Sequence, residues 1–371
     1  MKDDGAGETQ SAGKRQTTRQ LRQEIEAVDT KLCELVNRRA ELARTWATAV
    51  QQGGDTEGHD GVIEFAGLAA IVANNAGPLD DDSLRGVFRE LISGCRRLSA
   101  PTKVAYLGPE LSYSYLAAIE RFGHAAELVP VSSIAAVFDE VQQQNVDFGI
   151  VPLENSTDGR IVDTLEMFVR MPLRVSGEVP LRIHHNLLGI GKRAQIRKVC
   201  SKPQAISQCR GWLSQHLPGV SIEEMTSTTA AAELAASDSY VAAIASRQAA
   251  ARYGLDLLAE CIEDNPHNVT RFAVIGQHRT KRTGRDKTSL LFQLSHQPGA
   301  LADAMNIFKR NRLNLTWIES FPRPGAPQEY LFFVELQGHE ADLRVRRAIA
   351  ALEKKSERLD LLGSYAQMDP I

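Results

Sequence analysis

The stretch Val151-Pro-Leu-Glu-Asn-Ser-Thr-Asp-Gly159 sets a carboxylate, an amide and two hydroxyls side by side. Such a group can position a substrate, donate hydrogen bonds and move a proton. The apolar run Phe148-Gly-Ile-Val151 enters it as a short buried strand, and the amphipathic run from Ile161 to Val169 leaves it as a helix. In a parallel sheet the group then stands at a strand's carboxyl end, where ligands bind in open α/β folds. Ser, Thr, Asn and Asp are also ordinary helix N-caps, and taken locally the cap, at Ser156 and Thr157, is the better reading. Two further stretches carry related groups. Gly108-Pro-Glu-Leu-Ser-Tyr-Ser114 turns a strand into a helix, and free backbone N–H groups with hydroxyls at a helix start suit an anion. Thr270-Arg271, far downstream, lies in a strand, where a threonine alone is an ordinary β-branched residue.

The elements that must position these groups alternate. Lys103–Leu107 and Leu128–Val131 read as strands, each followed by a helix, and Phe148–Leu153 is the next strand; this alternation predicts a mostly parallel sheet. A second α/β unit starts near Leu181. It holds a strand at Leu187–Ile190, a helix carrying Ile206, Cys209, Trp212 and Leu213, an Ala-rich helix after Glu224–Thr229, and the buried run Val241–Ala245. The chain then returns through Cys261–Ile275. Two α/β units with a returning strand make an interlobe cleft, a common place for small-molecule sites.

Before this core, apolar residues at 21, 25, 28, 32 and 35 form the seam of a long helix that packs on other helices. The seam meets Arg39, a cation that must snorkel, pair with a carboxylate or hold an anion. A second helix shows Val62, Phe65, Leu68 and Val72, and a third, opened by Asp80–Asp82, buries Leu84, Val87, Phe88, Leu91, Ile92, Cys95 and Leu98. After the core, the basic run Gln277–Asp286 reads as a solvated linker. The order β-α-β-β-α-β then follows from Ser289 to Tyr365, a ferredoxin-like unit. Residues 1–17 read as a disordered tail. In 371 residues the net charge is −3, which gives no reason to expect nucleic acid or an anionic membrane as partner. Five scattered cysteines without a CxxC favour reduced thiols and a cytoplasmic protein. No apolar run spans a bilayer, and Lys14-Arg15 precedes no signal-like segment.

Taken in order, Gly108-Pro-Glu110 with Ser114, Val151–Thr157, Ser201-Lys-Pro-Gln204 with Gln208-Cys209, Ser227-Thr228, and Asn268 with Thr270-Arg271-Phe272 resemble prephenate dehydratase across nearly the whole segment. Leu111-Ser112 stands where that family has Gly-Thr. The resemblance implies a two-lobed, periplasmic-binding-protein-like α/β domain over 103–277. Its reaction turns prephenate, a dianion on a hydroxycyclohexadiene ring, into phenylpyruvate by loss of CO₂ and hydroxide. Aromatisation drives this, so no metal and no cofactor is expected. By resemblance Thr270 donates to the leaving hydroxyl, and Glu154 and Asn155 position or protonate it. Ser112, Ser114, Ser201, Gln208, Ser227 and Thr228 bind substrate, and Arg271 is either an anion ligand or an interlobe ion pair.

The helical region 18–100 resembles the all-α chorismate mutase domain, in which two chains share helices. Arg22 and Arg39 fall at carboxylate-binding arginines, and Asp60 and Glu64 at acidic positions near the substrate. Val50, Ile63, Cys95 and Ser99 stand where that family has lysine, arginine, a hydroxyl and an amide. The expectation is a retained fold with degenerate or weakened mutase chemistry on chorismate. Residues 287–367 resemble the α+β ACT module that binds phenylalanine at a dimer interface, through Gly299, Ala300, Leu301, Asn314, Glu319 and Ser320, with Phe321 at the family's arginine. The whole is then expected to be a homodimer or homotetramer inhibited by L-phenylalanine. A fully bifunctional enzyme and an arogenate dehydratase are the alternatives.

Overall fold

The computed structural model describes residues 17–53, 71–323 and 326–371, without side chains at 50–53 and 326–328. Asp60, Glu64, Ile63, most of the expected second helix and the tail to residue 16 lie outside the described residues, as does the side chain of Val50.

Helix α1 (Thr18–Gly53) and helix α2 (Asp81–Arg97) pack against each other. Asp80 caps α2 by accepting the Ser83 N–H at 2.7 Å, and Asp81 and Asp82 oppose the helix dipole. Val72 and Ile92 form a small core with Phe88. The α1 seam stays open: Leu21, Ile25, Val28, Leu32 and Leu35 are all exposed.

The middle of the chain folds as two lobes. In the first, β1 (Lys103–Leu107) lies between β2 (Glu127–Val131) and β3 (Phe148–Asn155), all parallel. Helices α3 (Tyr113–Phe122) and α4 (Ile134–Gln142) follow β1 and β2, and α5 (Val162–Arg170) follows β3 after the two-residue strand β4 (Gly159–Arg160). The chain leaves this lobe by β5 (Arg174–Arg182). The second lobe contains β6 (Asn186–Gly189), β7 (Lys198–Ser201), β8 (Ser221–Glu224), β9 (Val241–Ala245) and β10 (Asp256–Ala259) in the order β10-β6-β9-β7-β8. Its helices are α6 (Pro203–Gln208), α7 (Arg210–His216), α8 (Thr228–Ser237) and α9 (Arg247–Tyr253). Every residue of β9 is buried, and Ala231, Ala232 and Ala235 of α8 have no exposed surface. Small residues on helix and strand let the two backbones approach closely.

Strand β11 (Val269–Gly276) returns from the second lobe and inserts between β3 and β5, antiparallel to both. The expectation of a mostly parallel sheet is therefore corrected: both sheets are mixed. The reason is the return itself, since a strand coming back from the far lobe enters from the end at which β3 leaves.

The C-terminal unit runs β12 (Asp286–Leu294), α10 (Ala300–Arg310), β13 (Leu315–Arg323), β14 (Ala326–Gln337), α11 (Leu343–Glu353) and β15 (Ser356–Ala366), with sheet order β13-β14-β12-β15. This is the ferredoxin-like arrangement. One face of its sheet packs on α10 and α11 through Leu290, Phe292, Phe308, Val334 and Leu352. The other shares a core with the first lobe, where Leu291, Phe321, Phe333 and Tyr365 join Val151, Leu153, Phe168 and Ile275. Phe321, 4% exposed, is thus a packing residue; an arginine there would place a charge in an apolar core.

Candidate active site between the lobes

A cavity of about 310 Å³ opens between the two lobes. Several helices begin at its wall. From the first lobe come Ser112, Tyr113 and Ser114 at the start of α3, and Ile161 and Asp163 at the start of α5; from the second come Gln204 and Ala205 in α6, and Ser227 and Thr228 at α8. Their N-terminal dipoles and free N–H groups favour a bound anion. Ser112 and Ser227 have their hydroxyls engaged as caps, accepting from Tyr115 N and Ala230 N. What they offer a ligand is therefore mainly the ordered helix start. Lys202, at the N-cap position of α6, brings a cationic side chain to the wall.

The polar floor is a directed chain of amides. Asn155 Oδ1 accepts the backbone N–H groups of Thr157 at 2.9 Å and Asp158 at 3.0 Å, which fixes the orientation of its amide. Its Nδ2 then donates to Thr270 Oγ1 at 2.8 Å and to Asn268 Oδ1 at 2.9 Å. Because Thr270 accepts this bond, its own hydroxyl proton is free for a ligand in the cavity. Asn268 Nδ2 donates to Gln208 Oε1 at 2.9 Å, and Gln208 Nε2 donates to Asp158 Oδ2 at 2.7 Å. Gln204 donates to the same carboxylate oxygen. Asp158 in the first lobe thus ties the loop after β3 to α6 in the second.

His185 joins this chain. Gln208 turns its nitrogen to Asp158, so its oxygen must accept, and His185 Nε2 is the donor at 2.8 Å. His185 Nδ1 is left to face the Tyr113 hydroxyl at 3.2 Å. Burial is the largest influence on His185 and lowers its pKa against the opposing bond to Gln208, so the ring is held neutral. Burial also pushes the Tyr113 phenol up, so its hydroxyl keeps its proton, and it donates to His184 O at 2.8 Å.

Asn155, Thr270, Ser112, Ser114, Gln208, Ser227 and Thr228 therefore meet at one cavity. Glu154, Arg271 and Ser201 do not. Ser201 is fully buried and donates to Ile244 O at 2.6 Å, a bond that locks β7 to β9. Glu154 and Arg271 face the opposite side of their strands, because successive residues of a strand point to opposite faces. There Arg271 donates to Glu154 at 3.0 Å, to Glu178 of β5 at 3.3 Å and to both oxygens of Glu335 of β14 at 2.7 Å. It also lies over the Trp317 ring, 4.9 Å from its centroid. Burial alone would lower its pKa, but Glu335 and Glu178 outweigh this and raise it well above the usual arginine value. The ion pairs of Arg271 run within the first-lobe sheet and to the C-terminal unit, and none of them crosses between the two lobes as an interlobe pair would.

Ser156 and Thr157 do not cap the following helix. Its N-cap is Ile161, with no side-chain cap bond. Ser156 instead exchanges bonds with His267 O and Val269 N, and Thr157 contacts Asn265 and Asn268, so both tie the loop to the returning chain. Lys202, Gln204, His185 and Tyr113 join the cavity without being among the residues expected there from the sequence. Lys202 and Gln204 sit within a motif already singled out, and their place at a helix start was the available signal.

The family model "Prephenate dehydratase" matches residues 104–280, and "Chorismate mutase type II" matches residues 21–100. The bifunctional chorismate mutase/prephenate dehydratase of Aquifex aeolicus is 38% identical over 352 residues, covering 94% of this chain and 97% of its own length. That of Neisseria gonorrhoeae is 39% identical over 352 residues, covering 93% and 95%. A prephenate dehydratase from Arthrobacter aurescens, solved in complex with L-Phe, superposes with a TM-score of 0.67 at 33% identity, over 72% of this chain and 90% of its own. The chain belongs to the bifunctional chorismate mutase/prephenate dehydratase family.

Replacing Asn155 by aspartate keeps the shape but removes the donor to both Thr270 and Asn268, and the Thr270 proton then turns back to the new carboxylate. Asn155→Asp is expected to lower kcat about 100-fold in steady-state assays and to lower the unfolding midpoint, because the buried carboxylate faces the Asn268 oxygen.

Proposed function

We propose that this chain is a prephenate dehydratase that makes phenylpyruvate under control by phenylalanine. The observation that carries the reading is the oriented Thr270 hydroxyl in a cavity ringed by helix N-termini. The dianion's carboxylates are held by Lys202 and by the starts of α3, α6 and α8. The bond from the ring to its carboxylate breaks and its electron pair enters the ring as CO₂ departs. The bond to the opposite hydroxyl breaks and takes a pair with it, while Thr270 donates a hydrogen bond to the departing hydroxide. Aromaticity of the product drives both cleavages, and the cleft's apolar walls, such as Ile134, Ile183 and Phe272, leave the departing carboxylate poorly solvated. His185, Gln208 and Asn268 hold Asn155, which holds Thr270. Glu154 and Arg271 act as positioning residues from behind the strands, and the protein works in the cytoplasm.

Residues 287–367 act as the ACT regulator, taking phenylalanine near Gly299, Ala300, Leu301, Asn314, Glu319 and Ser320. Arg160 supports this, because it follows directly on the loop of Asn155 and Asp158 and donates to Glu319 at 2.7 Å and to Ser320 O at 3.3 Å. A ligand at Glu319 and Ser320 would compete for Arg160 and disturb the Asp158 tie between the lobes. Residues 18–100 form the mutase-like unit and 103–277 the dehydratase unit.

A homodimer is supported by the open α1 seam, a contiguous apolar stripe of the kind that protein partners cover. Arg22 and Arg39 stand roughly 26 Å apart along α1 at 1.5 Å per residue, too far to grip one small dianion from a single chain. Chorismate turnover is weakened, consistent with Cys95 being a buried apolar residue of α2 where a hydroxyl is needed. Full bifunctionality is the second reading, favoured by the match of residues 21–100 to the mutase family model.

Product analysis with chorismate, prephenate and arogenate in parallel tests these readings. Phenylpyruvate from prephenate, with slow use of chorismate and little phenylalanine from arogenate, is expected. Rapid chorismate conversion establishes the bifunctional reading, and preferred use of arogenate replaces the substrate. Arg160→Ala is expected to weaken inhibition by phenylalanine severalfold while prephenate turnover persists; an unchanged inhibition curve removes Arg160 from the regulatory connection.

A further inference from the structure

The chain crosses between the lobes twice, at 183–185 and at 260–268, and the two crossings lie side by side. Ile262 N donates to His185 O at 2.8 Å, and Cys261 N donates to Asn186 Oδ1 at 3.3 Å. Along this seam His184, Cys261 and Glu263 bring an imidazole nitrogen, a sulfur and a carboxylate oxygen within 4.8 Å of one another. His184 Nδ1 lies 2.8 Å from Glu263 Oε1, and the other oxygen of Glu263 accepts His185 N at 2.9 Å. The Glu263 side chain is 2% exposed and that of His184 is 48% exposed, so one ligand is fixed and another is open to solvent.

Mixed nitrogen, sulfur and oxygen donors are the choice of borderline-soft divalent ions, while magnesium and calcium take oxygen. Three protein donors leave a fourth tetrahedral position for water. The bond from His185 N to Glu263 is the kind of outer contact that orients a metal-binding carboxylate.

We propose that His184, Cys261 and Glu263 form a site for a divalent ion of the zinc class that fastens the two interlobe crossings together. None of the three lines the substrate cavity, and the ion takes no part in the reaction. Its ligands come one from the outgoing crossing and two from the returning one, so occupancy resists any change of angle between the lobes. Turnover falls when the site fills, because the substrate must enter and the product leave between those lobes; this half rests on the dehydratase reading.

The test uses the full-length chain, stripped of metal and titrated with Co²⁺. A single Co²⁺ per chain is expected, with a thiolate-to-cobalt charge-transfer band that Zn²⁺ abolishes and that Cys261→Ser lacks. Added Zn²⁺ should then slow prephenate turnover severalfold in the wild type, reversibly with a chelator, and leave Cys261→Ser unaffected. No band, or an equal band in Cys261→Ser as from binding at the exposed Cys33, overturns the site. A Cys261-dependent band with unchanged turnover overturns the clamp. The spectroscopic arm needs no turnover, so it decides the site even if the dehydratase reading fails.

Discussion

The buried guanidinium of Arg271 is the polar centre of the contact between the first-lobe sheet and the C-terminal unit, set beside the apolar core the two share. It meets carboxylates from β3, β5 and β14 and lies against Trp317 of β13. Lys287 shares Glu178 at 2.9 Å, and the Tyr365 hydroxyl donates to Glu335 at 2.6 Å, so the carboxylates are not left uncompensated. Removing one member of such a buried cluster typically costs about 3–5 kcal/mol, because the remaining charges lose their partners. Its geometry also constrains the chemistry. Thr270 precedes Arg271 on the same strand, so anchoring Arg271 on one face fixes where the threonine hydroxyl stands on the other.

The polar chain on the cavity side is built on the same principle of limited freedom. Each amide has one orientation that satisfies its neighbours: loop N–H groups set Asn155, Asn155 sets Asn268, and Asp158 sets Gln208. A neutral His185 completes the chain. The direction of the bonds leaves the Thr270 Oγ1 proton unclaimed by Asn155, and the same cavity is lined by helix starts and Lys202. Arg160 connects this loop to β13, which places the C-terminal unit in contact with the loop at Arg160 as well as with β11 at Arg271.

Much of this was legible in the sequence. Strand and helix order, the interlobe cleft and the ordered polar motifs follow from hydrophobic periodicity and turn chemistry. The strand period also held an unused signal: Glu154 and Asn155 are neighbours in a strand, so only one can face the cavity. The antiparallel return of β11 was not legible, because a strand's direction depends on where the chain has been rather than on its own residues. Ser156 and Thr157 looked like caps, but β3 runs on to Asn155 and β4 intervenes before the helix. The α1 seam was visible as a helix face, and its residues stay exposed.

The central claim is that the Thr270 hydroxyl, freed by Asn155, donates to the leaving hydroxide. Single-turnover and steady-state kinetics of prephenate dehydration by Thr270→Val and Thr270→Ser measure this directly, with circular dichroism confirming the fold. The valine variant should lose about 100-fold or more in kcat with little change in KM, and serine should restore much of the loss. Near-normal turnover by a folded Thr270→Val enzyme would contradict the account.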